Sequence, residues 1–195
     1  MSLPNLIIGY GTGRCGTKSL ASFLNQQQDS NITHEQSGSW FPTAGNPAET
    51  IANIIGRNSK FVGDVGFAWI HYVTFLSKEY NAKFINIYRN DEDVIESFYK
   101  NTAHMPEGYM DTWFGWPHDS DKANKDAIVH SIKRYRRLEE IALLKNRDKI
   151  MTMHTEELNE IEFLEELLYW LGFDEPYNLN LQHLGASYGN GQMTA

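Results

Sequence analysis

Residues Gly9 to Leu20 read GYGTGRCGTKSL, a turn carrying Gly11, Gly13 and Gly16 between two apolar segments. The segment before it, NLIIGY from Asn5, is short, apolar and closed by turn formers, which predicts a buried strand. In the segment after it, TKSLASFLNQQQ, the residues Leu20, Phe23 and Leu24 share one helical face. A glycine-rich turn leading from a strand into a helix suits an anion. The first N–H groups of the helix lack an internal acceptor, and the helix dipole adds positive potential at the same end. Arg14 and Lys18 add charge there, and Thr17 and Ser19 add hydroxyls. The plainer alternative is a turn whose cations are simply solvated.

The same alternation continues along the chain. NITHE, SKFVGD, AKFINIY and DKIMTM read as further strands, and AKFINIY, β-branched and aromatic, is the clearest. PAETIANIIGR, from Pro47 to just past Gly56, reads as a helix, as do FAWIHYVTFLSKEY and DEDVIESFYKNT. Ile128, Ile132, Tyr135, Leu138 and Ala142 recur at helical spacing. Ile161, Leu164, Leu168 and Leu171 mark a last helix, closed by Gly172. The stretch from His104 to Asp126, rich in Gly, Pro, Asp and Trp, reads as a long loop. Strands alternating with helices predict an α/β fold of three layers, with a mostly parallel central sheet flanked by helices, of the P-loop NTPase type. Ligands of such sheets lie beyond the carboxyl ends of the strands.

A chain of 195 residues fits a single domain, residues 1–195. Such a domain buries about 70% of its unfolded surface and needs no staple. One cysteine excludes an internal disulfide and a zinc ribbon. A net charge of −8 disfavours a general nucleic-acid surface and makes cations near the glycine turn a local exception. Neither a transmembrane run nor a signal peptide is visible, so the expected location is cytoplasmic.

The nucleoside-triphosphate loop reads G-x-x-x-x-G-K-[ST]. From Gly11, four residues lead to Gly16, but Thr17 stands where the lysine belongs and Lys18-Ser19 follow one step late. Arg14, two residues before Gly16, offers the cation instead. The turn is thus suited to a phosphate other than that of ATP. A second signal is KFINIYRNDEDVIESFYK, Lys83 to Lys100, where a strand ends in Arg89 and a helix carries Ser97. Asn90 or Asp91 can cap that helix, and its acidic first turn suits the dipole. Arg89 and Ser97 can meet on one anion; alternatively Arg89 pairs with Asp91 or Asp93.

Together and in this order, the two segments resemble the sulfotransferases that use 3′-phosphoadenosine-5′-phosphosulfate. RCGTKSL is similar to that family's strand-loop-helix motif for the 5′-phosphosulfate, with Arg14 where many members have lysine. RNDEDVIES resembles its 3′-phosphate motif at Arg89, Asn90, Asp93, Val94 and Ser97, and departs from it at Asp91, where proline is usual. FVGDVGFAWIHYV and MHTEELNEIEFLEELLYWLGF extend the resemblance over most of the chain.

The resemblance implies a sulfotransferase-like fold and transfer of a sulfuryl group to a hydroxyl or amine, with adenosine 3′,5′-bisphosphate as product and no metal. Arg14, Cys15, Gly16, Thr17, Lys18 and Ser19 would then bind the 5′ end of the donor, and Arg89 with Ser97 the 3′-phosphate. Arg14 would also be catalytic, neutralising the leaving phosphate. The base that takes the acceptor proton is Glu35, with His34 beside it as the rival. Asp64 either orients Arg14 or Lys18 or is a turn residue. Cys15, at a helix N-terminus between cations, is expected to have a lowered thiol pKa without being a nucleophile. Trp113, Phe114 and Trp116 form an acceptor lid or pin the long loop to the core. The Lys133–Arg137 cations form a solvated face paired with Glu139 and Glu140. The tail from His183 closes over the nucleotide or frays. Acceptors of several kinds remain open: small molecule, carbohydrate or peptide. Two competing functions are a nucleotide kinase or NTPase and a catalytically silent nucleotide-binding protein on the same fold.

Overall fold

Five short apolar runs form one parallel sheet, and the amphipathic runs between them cover both of its faces. The structure is a computed structural model that describes residues 3–35, 47–102 and 125–180. In chain order its elements are β1 (Asn5–Tyr10), α1 (Thr17–Asn25), β2 (Ser30–His34), α2 (Pro47–Ile55) and β3 (Phe61–Val65). A 3-10 helix (Phe67–Tyr72), α3 (Val73–Tyr80), β4 (Lys83–Tyr88) and α4 (Asp91–Thr102) follow. Then come α5 (Lys125–Asn146), β5 (Ile150–His154), a 3-10 helix (Thr155–Asn159) and α6 (Ile161–Leu171). Trp113, Phe114, Trp116 and the tail from His183 lie outside the described residues.

The strand order is β2-β3-β1-β4-β5, and every pair is parallel. The chain starts at the centre of the sheet, fills one side with β2 and β3, then crosses to build β4 and β5 on the other. The direction of growth therefore reverses between β1 and β4, the place where open parallel sheets form their ligand crevice. Side chains alternate across the sheet. Ile7, Ile85, Ile87 and Met153 pack with α1 and α6, whereas Leu6, Ile8, Tyr10 and Phe84 pack with α2, α3 and α5. This makes the three layers, with an apolar core on each face. A third cluster, Val94, Phe98, Ile128 and Ile132, seats α5 against α4.

Register decides what reaches the crevice. One row of the sheet runs His34, Val65, Gly9, Ile85, Met151. Glu35 is thus the first residue past the row on β2, while β4 continues three residues further to Tyr88. The loop after β1 folds beside that overhang, and Gly11 is where it touches: a Cβ there would lie 2.5 Å from the Ile87 carbonyl oxygen.

Three element boundaries differ from the sequence expectation. FAWIHYVTFLSKEY winds as 3-10 helix for its first six residues before α3 begins. Two ties compete with α-helical winding there: the Phe67 carbonyl accepts the Tyr135 hydroxyl (2.9 Å), and the Trp69 indole donates to Asp64 (2.7 Å). α1 stops at Asn25, whose side chain instead accepts the Ile32 N–H of β2. In α6, Ile161 is exposed and Leu167 joins Leu164, Leu168 and Leu171 in the core, while Gly172 caps the helix at φ 90°.

Candidate active site

The glycine turn after β1 adopts the conformation its composition allows. Gly16 is the N-cap of α1 in the left-handed region, at φ 91°, which an L side chain resists. Arg14 is left-handed too, at φ 57°. A non-glycine residue there stores about 1–3 kcal/mol of strain, and such residues cluster where function over-determines the backbone. Beyond the cap, Lys18 is exposed on the first turn of α1, Ser19 is half-buried and Thr17 is buried.

The second motif comes to the same place. Asn90 caps α4 by accepting the Glu92 N–H at 2.8 Å, and Arg89 precedes it. Arg14 Nε donates to Ser97 Oγ at 3.0 Å, and Arg89 Nη1 donates to the Arg14 carbonyl at 3.1 Å. The two segments, 75 residues apart at Arg14 and Arg89, are therefore joined by both side chain and backbone. Arg89 also lies 3.9 Å from Asp93, the partner weighed against ligand binding in the sequence. That pair is half-exposed, and such pairs contribute little.

His34 and Glu35 stand at the end of β2, facing α1 and β3. His34 Nε2 and Thr17 Oγ1 share a hydrogen bond of 3.1 Å. Burial, with help from Lys18, lowers the His34 pKa and favours the neutral ring. Glu35 is half-buried with φ 48°, and its N–H donates to the Val65 carbonyl. Burial pushes its carboxyl up to about 7; the Phe67 N–H opposes this and Asp64 adds to it. Asp64 itself is buried within β3 and accepts from Thr33 (2.6 Å) and Trp69. It is no turn residue, but a fixed negative charge beneath Glu35.

Cys15 corrects one expectation. Its side chain is buried in the core with Ile87 and Leu158, turned away from the turn's open side. Burial pushes its thiol up to about 12, with Glu139 adding to the rise, so proximity to a helix N-terminus does not lower it. Only its backbone is available to the site, and its carbonyl already accepts Thr155 Oγ1 at 2.7 Å.

Two residues that matter to this geometry were not singled out in the sequence. Thr155, just after β5, sets its hydroxyl 2.7 Å from the Cys15 carbonyl and 3.1 Å from that of Tyr88, and so ties the glycine turn to the end of β4. Arg136 contradicts the solvated face expected for Lys133–Arg137. Lys133, Arg134 and Arg137 are exposed, but the Arg136 side chain is only 14% exposed and bonds to Asp91 and Glu139 at 2.8 Å. Asp91 is the position where the resembled motif has proline; here it supplies a carboxylate to Arg136. A signal was present: Glu139 falls seven residues after Ile132, a charge on the buried stripe.

Among the described residues, no group of three His, Cys, Asp or Glu could hold a metal ion, and no helix is long and apolar enough to cross a membrane. Neither a family model nor a curated protein matches the sequence. Solved structures do match the fold. A sulfotransferase from Alicyclobacillus acidocaldarius superposes at a TM-score of 0.65 with 16% identity, over 93% of this chain and 87% of that one. The mouse sulfotransferase SULT7A1, complexed with PAP, superposes at 0.60 with 15% identity, over 88% of this chain. This chain spans 60% of the mouse enzyme's length. The five-stranded parallel sheet with helices on both faces is the fold of the sulfotransferases.

Proposed function

We propose that this chain moves a sulfuryl group from 3′-phosphoadenosine-5′-phosphosulfate to a hydroxyl or amine, releasing adenosine 3′,5′-bisphosphate. The observation that carries the reading is the meeting of Arg14 with both Ser97 and Arg89 at the switch point of the sheet. One helix start bearing a glycine turn suits one phosphate. A second set of charge and hydroxyl from the next strand over suits another phosphate on the same small molecule. The PAP held by the mouse sulfotransferase, a protein of the same fold, supports the same reading.

The residues fit such a donor: the left-handed Gly16 cap leaves the first-turn N–H groups of α1 without helical acceptors, beside two cations. Lys18, Thr17, Ser19 and the backbone of Cys15 and Gly16 would hold the 5′ end, and Arg89 with Ser97 the 3′-phosphate. The donor supplies a sulfuryl group on a phosphosulfate linkage, whose S–O bond breaks as the bond to the acceptor oxygen forms. Arg14 neutralises the charge that grows on the departing phosphate, the largest single service a site of this kind provides. Glu35 takes the acceptor proton, its raised pKa matching a base that works near neutral pH. Neutral His34, held by Thr17, is the alternative base.

Thermal unfolding with three nucleotides tests the reading. At 100 times its dissociation constant a ligand adds about 2.7 kcal/mol, or about 5–10 °C in Tm for a chain of this size. Adenosine 3′,5′-bisphosphate is expected to give that rise, ADP little, and ATP with magnesium no more than ADP. A larger rise with ATP and magnesium would instead make this a kinase or NTPase. A rise with the bisphosphate, but no sulfation of any acceptor in a mixed panel of sugars, phenols and tyrosine peptides, would support the silent binding protein.

A further inference from the structure

Arg136 lies outside the groups assigned above to donor or acceptor, yet every side of its guanidinium is engaged. Nε donates to Asp91 Oδ1, Nη1 to Glu139 Oε2 and Nη2 to the Arg89 carbonyl, each at 2.8 Å. Its planar face covers the Tyr88 ring at 3.9 Å from the centroid. Tyr88, Arg89 and Asp91 are the end of β4, the residue after it and the first residue of α4. One side chain therefore grips both ends of the turn that carries Arg89. The grip is anchored from below. Glu139 is one turn further along α5, its carboxylate 6% exposed, and its Oε1 has no partner among the described residues, so its engagement with Arg136 runs through Oε2. On the other side, Arg89 reaches the Arg14 carbonyl and Arg14 reaches Ser97. A charged path thus runs from the buried side of α5 through the β4–α4 turn into the glycine turn.

We propose that Arg136 is a positioning residue: from α5 it fixes the Tyr88–Asp91 turn and thereby aims the Arg89 guanidinium at the nucleotide's 3′-phosphate. This rests on the function proposed above. Lysine cannot replace it, because one ammonium lacks the flat fork that meets three acceptors and stacks on a ring. The consequence is selective. Loosening the turn costs the 3′-phosphate contact and spares the 5′ end, which is held by the start of α1.

The test uses the full chain and measures the dissociation constants of adenosine 3′,5′-bisphosphate and adenosine 5′-monophosphate by calorimetry. Arg136→Lys is expected to weaken the bisphosphate about tenfold and the monophosphate by less than about twofold. Asp91→Asn, which removes one of the three acceptors from a half-exposed position, is expected to weaken the bisphosphate about threefold with the same selectivity. Equal weakening of both nucleotides, or of neither, would overturn the positioning role. If Arg136→Lys does not fold, Asp91→Asn decides the question by the same ratio. A wild-type chain that binds the two nucleotides equally would remove the 3′-phosphate reading itself, a failure distinguishable from loss of the Arg136 effect alone.

Discussion

The carboxyl of Glu35 is half-buried beside Asp64, on a backbone at φ 48° that a non-glycine residue seldom adopts. Strain and desolvation at one residue are the marks of a working group rather than of a turn. Glu35→Gln keeps the shape and removes the base, so sulfation should fall about 100-fold or more with nucleotide affinity unchanged. The pH profile separates the two candidates: with Glu35 as base, kcat/KM rises with pH through about 7, and this limb disappears in Glu35→Gln. If His34 is the base, the limb lies below its ordinary 6.5 instead, because burial lowers that ring. Arg14→Ala should reduce kcat about 100- to 1000-fold, the usual loss when one preorganised charge donor is removed. At this scale the sequence was only partly legible. Arg14, Arg89 and Ser97 could be named from two motifs, but the direction of Cys15 and the burial of Arg136 could not. Both depend on what packs above them: Leu158 and Ile87 over the thiol, Asp91 and Tyr88 over the guanidinium.

Among the elements, the five strands and the helices that begin at Thr17, Pro47 and Asp91 were readable because local chemistry and tertiary demand agree in them. AKFINIY is buried on both faces, and NDED gives α4 its cap and its acidic first turn. Local chemistry failed where a distant partner intervenes, as at Phe67–Tyr72, wound tightly by ties to Tyr135 and Asp64. The turn after β5 is a second such place. MHTEEL predicts only a strand end, yet Thr155 bridges the carbonyls of Cys15 and Tyr88 across two other strands. Thr155→Val preserves the shape and leaves those carbonyls without their donor, which costs about 1–2 kcal/mol. The expected result is a lower urea midpoint with an unchanged m-value. Because both nucleotide segments hang from that hydroxyl, adenosine 3′,5′-bisphosphate and the monophosphate should weaken together. This contrasts with the selective loss expected for Arg136→Lys. An unchanged midpoint would mean that the turn and β4 hold their spacing without the bridge.

Taken as a whole, the molecule carries two opposed titrations, and their sum decides how its stability depends on pH. Glu35 and Glu139 both have pKa values raised from 4.5 to about 7, chiefly by burial. A carboxyl that holds its proton more tightly when folded stabilises the fold fully below pH 4.5, and loses that contribution as pH rises through about 7. His34 and His71 are lowered from 6.5 by burial, with cations adding to the effect: Lys18 at one and Arg134 at the other. Their contribution is present above pH 6.5 and is lost as pH falls through the folded values. Wild-type stability is therefore a poor reporter of either set, and a difference between variants is a good one. In Glu35→Gln the ionised carboxylate is gone, so the variant should gain on wild type as pH rises, from near zero at pH 4 to about 1–2 kcal/mol at pH 8. Urea unfolding at several pH values measures this directly. The gain should coincide with the loss of sulfation, since the same desolvation that makes Glu35 a base near neutral pH makes its charge costly to the fold. A variant that loses sulfation with no gain at pH 8 would mean that Glu35 is ionised at little cost, and the raised pKa on which its role as base depends would be absent.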